Sequence, residues 1–414
     1  MRLNNIVLGI TALMLTLTAC KQQTSSNVLN AENLTDELQR KLITAVAGDV
    51  IELPEGTFEF KRSISLNDTP DITIKGAGKG KTILSFKDQI QGAEGVLVKN
   101  VKGLTLQGFT VADSKGDAIK VQDCTDVIMR DLETTWTKGK LSTNGAYGLY
   151  PVSSTNVLME DCESSYAMDA GIYVGQSTNV VVRNNLVHNN VAGLEIENTI
   201  SGEVYGNVAR NNTGGMLIFD MPDLPQANGD RIKFYDNLME NNNGENFAPE
   251  GMVVSTIPPG SGMIFMSHSN IEAYNNTIKG HKTLGVAVNS WLFTGVPFES
   301  AEFDPFCTNI YLHDNVITGT EGPTDNTTEY GNLVSTILEG RAYDLIIDGI
   351  FKPGEPMSYC FKNNGDISFV NLNAGMGPEP EQIMKNMDHD LEKFNCDLPD
   401  FDTSSHDKWL VASK

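Results

Sequence analysis

Positive charge is the scarcest property of this sequence. Its 30 Lys and Arg face 53 Asp and Glu, for a formal net charge of -23 and a pI near 4.6. That balance argues against a nucleic-acid partner, because phosphate contacts need clustered Lys and Arg. It also disfavours a polyanionic substrate unless a cation or a local basic patch intervenes. Cysteine is sparse at six residues, and none has CxxC or CxxCH spacing, so neither a zinc site nor an attached haem is expected. No group of Cys, His or Met has metal-ligand spacing either. No cofactor is predicted, with Ca²⁺ the one ion that hard carboxylate oxygens could bind. Helical periodicity is missing too, since no apolar i, i+4 stripe recurs after residue 50 until the C-terminal tail. One apolar run, Ile6 to Leu17, is long enough to notice, and it is too short to span a bilayer with ease.

That run follows a single positive charge, Arg2, and ends in Leu17-Thr18-Ala19-Cys20, the layout of a secretory signal. Leu-Thr-Ala-Cys resembles the bacterial lipobox, whose cysteine becomes the lipidated first residue of the mature chain. Residues 1–20 are therefore read as a lipoprotein signal with Cys20 as the lipidation site, and 21–32 as a polar tether. Lys21 stands where an inner-membrane retention signal would usually carry Asp. The resemblance thus points to the outer membrane, anchored by lipid and facing the periplasm. In such an oxidising compartment a disulfide is expected among the last three cysteines, with Cys360–Cys396 the preferred pair. The odd number left after Cys20 leaves at least one thiol unpaired.

What the chain does contain is a repeat. Gly148 (GLYPVS), Gly171 (GIYVGQ), Gly193 (GLEIEN), Gly215 (GMLIFD), Gly262 (GMIFMS) and Gly285 (GVAVNS) open similar segments, the first of them at steps of 23, 22 and 22 residues. A second apolar segment follows each opening, then an asparagine: Asn185, Asn207, Asn237, Asn276 or Asn315. A third short apolar stretch closes the unit. Three period-two strands in roughly 22 residues make one rung of a parallel β-helix. A rung cannot bury its apolar side chains until neighbours stack on it. Like residues then form ladders, and the asparagines are predicted to sit in αL geometry at the turns and to hydrogen-bond to their own copies. One helix is expected near the start, with Leu34, Leu38, Leu42 and Val46 on one face, capping the open end of the core. The chain thus reads as an all-β, right-handed parallel β-helix over 33–378, with a C-terminal cap or tail over 379–414 whose path after residue 320 stays open.

A solenoid binds along a face. In the glycine-led strand the residue after Gly points inward and the next outward. One outward column is then Lys120, Tyr150, Tyr173, Glu195, Leu217, Ile264 and Ala287, and the parallel one is Gln122, Val152, Gly175, Glu197, Phe219, Met266 and Asn289. Insertions at 133–146, 220–230, 241–261 and 290–307 fall at the ends of this strand and are expected to wall a groove over 120–220. Glu195 and Glu197, at i, i+2, lie on one face ~6.6 Å apart at the backbone. That spacing suits shared acid and base work on a glycosidic bond. Asp169 and Asp220, read as adjacent rungs at opposite strand ends, complete a predicted catalytic set of Glu195, Glu197, Asp169 and Asp220. Tyr150, Tyr173, Trp136, Gln176, Lys120 and Gln122 are the predicted substrate contacts, the aromatic ones by stacking on sugar. His268 is a further proton-transfer candidate, His188 a turn or core residue, and Arg183 a cross-rung partner.

The segment GDVIELPEGTFEF…ITIKGAGKGKTILSF, residues 48–86, resembles the first rungs of the pectate-lyase-like superfamily. Residues 144–198 resemble exported bacterial parallel β-helix repeat proteins, often lipoproteins. The resemblance implies the fold over most of the mature chain but no settled activity and no catalytic residues to carry over. It also implies that a second exported protein is often encoded alongside. The alginate-epimerase motif Asp-Pro-His-Asp is absent. Two functions follow as expectations: an outer-membrane lipoprotein that binds, and in the enzymatic case cleaves as lyase or hydrolase, an extended polysaccharide; or a scaffold for a co-encoded envelope protein. Either is expected to act as a monomer.

Overall fold

The computed structural model describes residues 29–399 and 401. The predicted signal, Cys20 and residues 21–28 of the tether lie outside the described residues. Among the described residues no helix is long and apolar enough to cross a membrane.

Each rung contributes one strand to an 11-stranded parallel sheet and two to a 19-stranded one. The rung starting at the second glycine shows the plan: Ala170–Gly175, then Thr178–Arg183, then Leu186–His188. The corners of this rung are two or three residues long, each with one residue at φ near +55°, a conformation that Asn, Asp and Gly tolerate. The strand pairs are parallel, with a register shift only where Arg62–Asn67 meets Gln91–Lys99, and Leu149, Ile172, Leu194, Met216, Met263 and Val286 stack as one inward column. These side chains are all fully buried. The coil is the right-handed parallel β-helix that the repeat implied.

The asparagine ladder exists, with one change. Asn207 Oδ1 accepts from the backbone N–H and Nδ2 of Asn185 (3.0 and 2.9 Å), and the pattern repeats through Asn237, Asn276, Asn315 and Asn364. The αL geometry belongs not to these residues but to the one before each: Asn184, Gly206, Asp236, Asn275 and Asp314. The ladder asparagine needs its side chain turned into the stack, and the preceding residue makes the bend that allows it. A second ladder, Asn190, Asn212, Asn242 and then His281, runs along the other corner.

The first helix, α1 (Leu34–Ile43), buries Leu34, Leu38 and Leu42 against the open first rung. Val46 does not belong to that face: the helix has ended, and Val46 is exposed. After residue 320 the chain both adds rungs, Tyr343–Ile347 and Phe369–Asn371 in the 11-stranded sheet, and folds back over them. Two helices fold back over these rungs, α2 (Glu329–Ile337) and α3 (Pro380–Asn386). Val334, Ile337 and Ile383 cover the outward side chains Ala287, Ile346 and Val370. The tail closes the core where Phe394 packs on Phe361 and Phe369, and the Cys360–Cys396 disulfide ties it down. Cys124, Cys162 and Cys307 are free and buried.

Candidate functional site

The two outward columns pair as the sequence spacing implied. Lys120, Tyr150, Tyr173, Glu195, Leu217, Ile264 and Ala287 are register partners in turn, and so are Gln122, Val152, Gly175, Glu197, Phe219, Met266 and Asn289. Stacking changes what this face is. Glu195 lies between Tyr173 and Leu217, and Glu197 between Gly175 and Phe219, with strands spaced ~4.8 Å apart. The insertion at 241–261 lays Phe247, Met252, Val254 and Ile257 onto the same apolar patch as Leu217 and Ile264. The expected open acidic groove is therefore absent. Glu195, Glu197, Asp169 and Asp220 are only 4, 3, 5 and 1% exposed.

Burial dominates their chemistry. A carboxylate removed from water loses its hydration, which favours the protonated acid. Glu197 is pushed up to about 8 by burial and then by the charge of Asp169. The hydroxyl of Tyr173 donates to Glu197 Oε2, which works in the opposite direction. Glu195 is raised well above the usual carboxylate range by burial and by Asp169, and Asp169 is raised by burial against a hydrogen bond from Tyr147. Asp117, at the approach, is pushed up to about 6 by burial against the nearby Lys120. Glu195 has neither a hydrogen bond nor an ion pair among the described residues. Burial thus favours the protonated form of these carboxyls, and it holds the neighbouring phenols of Tyr147 and Tyr150 protonated as well.

Tyrosines flank it. Tyr147, Tyr150 and Tyr173 pack together with centroids 4.4–4.9 Å apart. Tyr173 leans along its own strand over Gly175, where an added Cβ would come 2.5 Å from the ring. Glycine at 175 therefore permits the Tyr173–Glu197 bond. Tyr147 and Asp117 were missed by sequence reading. Each stands three residues before an outward position, Tyr150 and Lys120, and their rungs are neighbours, as the bond from Ala118 N to Tyr147 O shows. Extending the column alignment by three residues would have found both.

Other predicted contacts fall elsewhere. Trp136 is not in a groove wall: it is 3% exposed, packs in the main core and donates its indole N–H to Ser114 O (2.8 Å). Gln122 donates to Asp123 on the outer edge (3.1 Å), and Gln176 lies half-buried at the αL corner after Gly175. Asp169 and Asp220 are two rungs apart rather than one, because the strand Ala192–Glu197 lies between theirs. Asp220 belongs instead to a neighbouring pocket of the interior: Gly229 N–H donates to its Oδ2 (2.7 Å), and its Oδ1 is 4.0 Å from His268 Nε2. His268 is completely buried and held down to about 4, with both ring nitrogens facing backbone carbonyls of Thr199 and Ser269. It has no route to a ligand on this face. Arg183 bridges rungs to Glu160 and Tyr205, and His188 bonds Glu163. Among the described residues no three His, Cys, Asp or Glu converge as metal ligands. A cleft of about 490 Å³ around Thr320, Arg341, Tyr343 and Ser368 holds none of the predicted site residues.

Residues 94–222, which include the whole acidic centre, match the family profile described as right handed beta helix region. No curated protein matches the chain. Among solved structures the chain is similar to a mannuronan C-5 epimerase A-module of Azotobacter vinelandii, at 13% identity over 76% of this chain and 85% of that one, with a TM-score of 0.45. It is also similar to an alginate lyase from Paenibacillus sp. str. FPU-7, at 15% identity over 65% and 94% with a TM-score of 0.39. A third is an endo-xylogalacturonan hydrolase from Aspergillus tubingensis, at 12% identity over 79% and 94% with a TM-score of 0.42.

Proposed function

We propose that this protein binds an extended glycan at the half-buried approach formed by Lys120, Tyr147 and Tyr150, beside the buried strands Ala170–Gly175 and Ala192–Glu197 whose carboxyls it meets in protonated form. One observation carries this reading: Glu195 is buried and unpartnered, one rung from Tyr173 and two from Tyr150. An unpaired buried carboxyl costs folding free energy, and sites that bind or react are where such costs persist. The half-buried rings of Tyr147 and Tyr150 supply stacking surface at the approach. Glu197 holds a proton at neutral pH and can deliver it to a glycosidic oxygen, while Asp169, steadied by Tyr147, can take one from an attacking water. Lipidation at Cys20 and attachment to the outer membrane complete the proposal. The mass of the mature N-terminal peptide tests that part.

A glycan-array screen of the folded protein, followed by a product assay on each hit, tests the main reading. A hit lost in Tyr173→Ala and weakened in Glu195→Gln supports it, and released product makes it enzymatic. No hit, or hits indifferent to both substitutions, would overturn it in favour of a scaffold for another envelope protein.

A further inference from the structure

Among the described residues no Lys or Arg pairs with Asp169, Glu195 or Glu197. Asp169, Glu195 and Glu197 lie on neighbouring rungs beside three tyrosines, Asp220 follows beyond Glu197, and Lys120 is three rungs from Glu195. Lys120 is informative for where it sits. Its ammonium lies 4.6 Å from the centroid of Tyr150, and 3.9 Å from Asp117. The rim of the site therefore already binds an ammonium group, using one tyrosine face and one carboxylate. One and two rungs deeper the same pairing of phenol and carboxyl recurs in Tyr147 with Asp169 and in Tyr173 with Glu197, without an ammonium. Glu195 lies beside them, 4% exposed and unpartnered. A bare metal ion is a poor match, since no three ligating side chains converge among the described residues. An organic ammonium asks less: a few oxygen acceptors and an aromatic face.

Building on the glycan reading above, we infer that the ligand is a glycan carrying free amino groups, with one ammonium seated at Glu195 and Glu197 beside Tyr173. Binding then ionises carboxyls that hold protons in the free protein, and each proton released passes to solvent. The groups facing the seat are Asp169 on the rung before, Asp117 and Lys120 at the rim, Tyr147 and Tyr150 on the approach, and Asp220 beyond. Lys120 is already paired, and the others are acidic or neutral. The net charge of -23 draws such a ligand in from a distance.

Three tetrasaccharides of one linkage separate the ideas: cellotetraose, its N-acetylglucosamine counterpart and its glucosamine counterpart, differing only in hydroxyl, acetamide or ammonium at C2. The glucosamine tetramer is expected to bind at least about tenfold more tightly than the other two, the size of one charge-assisted contact in a desolvated site. At pH values where the free sugar is an ammonium, calorimetry in buffers of different ionisation enthalpy is expected to show net proton release and the affinity to rise with pH, both levelling off as the free amine loses its own proton. Glu195→Gln and Tyr173→Phe should each erase most of the preference, with tetralysine as the control for unselective attraction. Equal binding of all three sugars would overturn this inference while leaving the glycan reading intact. Failure of all three overturns both for this linkage, and tetralysine binding as tightly as the glucosamine tetramer would reduce the preference to net charge.

Discussion

Glu195 and Glu197 carry the account at the scale of single residues, and their pH dependence has a definite sign. A carboxyl whose pKa is raised on folding stabilises the native state below its unfolded pKa, and that stability is lost as pH rises through the folded value. His268 and His281, both lowered to about 4 by burial, act oppositely, but only below the ordinary histidine pKa of about 6.5. From about pH 6.5 to 8 the carboxyls therefore act without that opposition, and Glu197 alone costs about 2 kcal/mol at roughly 1.4 kcal/mol per pH unit. Thermal unfolding should show wild type losing stability over that interval, with Glu197→Gln flattening the loss and more stable than wild type at the alkaline end. The pairing of these residues was legible in the sequence, because strand period and rung length together fix which residues are neighbours. Their burial was not. Tyr173 bonds Glu197, Phe219 is its neighbour on the next rung, and Phe247 and Ile257 join the adjoining apolar cluster from an insertion whose path no periodicity encodes. Trp136 misled for a related reason: the strand Thr125–Thr135 runs further than expected and delivers the ring to the core.

Among elements, the corners hold the coil together. Each ladder asparagine satisfies backbone groups that the turn takes out of the sheets. Asn237 accepts from Asn207 and donates to Val204 O and Asn276 Oδ1, with 2% exposure. Asn237→Ala leaves several buried partners unmet, and a loss of about 3 kcal/mol is expected in denaturant unfolding. Asn212→Ala in the second ladder should cost a similar amount, for the same reason. The first ladder was visible as recurring asparagines after the second strand. The second hid because its residues, Asn190, Asn212 and Asn242, follow strands of only three residues and its last member is a histidine. Helix α2 was missed although Tyr330, Leu333, Val334, Ile337 and Leu338 make an apolar stripe, because at nine residues it is short beside the strand repeats around it. Its Thr328 cap, accepting from Gly331 N, is the local signal that was there.

The whole molecule is a one-dimensional stack in which each rung leans on its neighbours, so damage should stay local. The C-terminal end depends on the clasp of Cys360 to Cys396, a separation of 36 residues that constrains the unfolded chain by about 4 kcal/mol in the chain-entropy account. Reduction should raise hydrogen exchange in 359–371 and 391–396, while residues 94–222 stay protected. Uniform deprotection along the chain would show instead that the stack unfolds as one unit. Fold and strand register could thus be read from the sequence, because stacking repeats them many times. The closed site could not, because insertions and tail occur once each.

The claim on which the account rests is that the protein keeps a protonated acid centre at neutral pH. Selective ¹³C labelling of glutamate side-chain carboxyls, followed by pH titration of wild type, Glu195→Gln and Glu197→Gln, measures it directly. Two resonances are predicted to titrate far above the ordinary glutamate range, one near about 8, each missing from one variant. Every glutamate titrating in the ordinary range would contradict the account, and with it the acid centre.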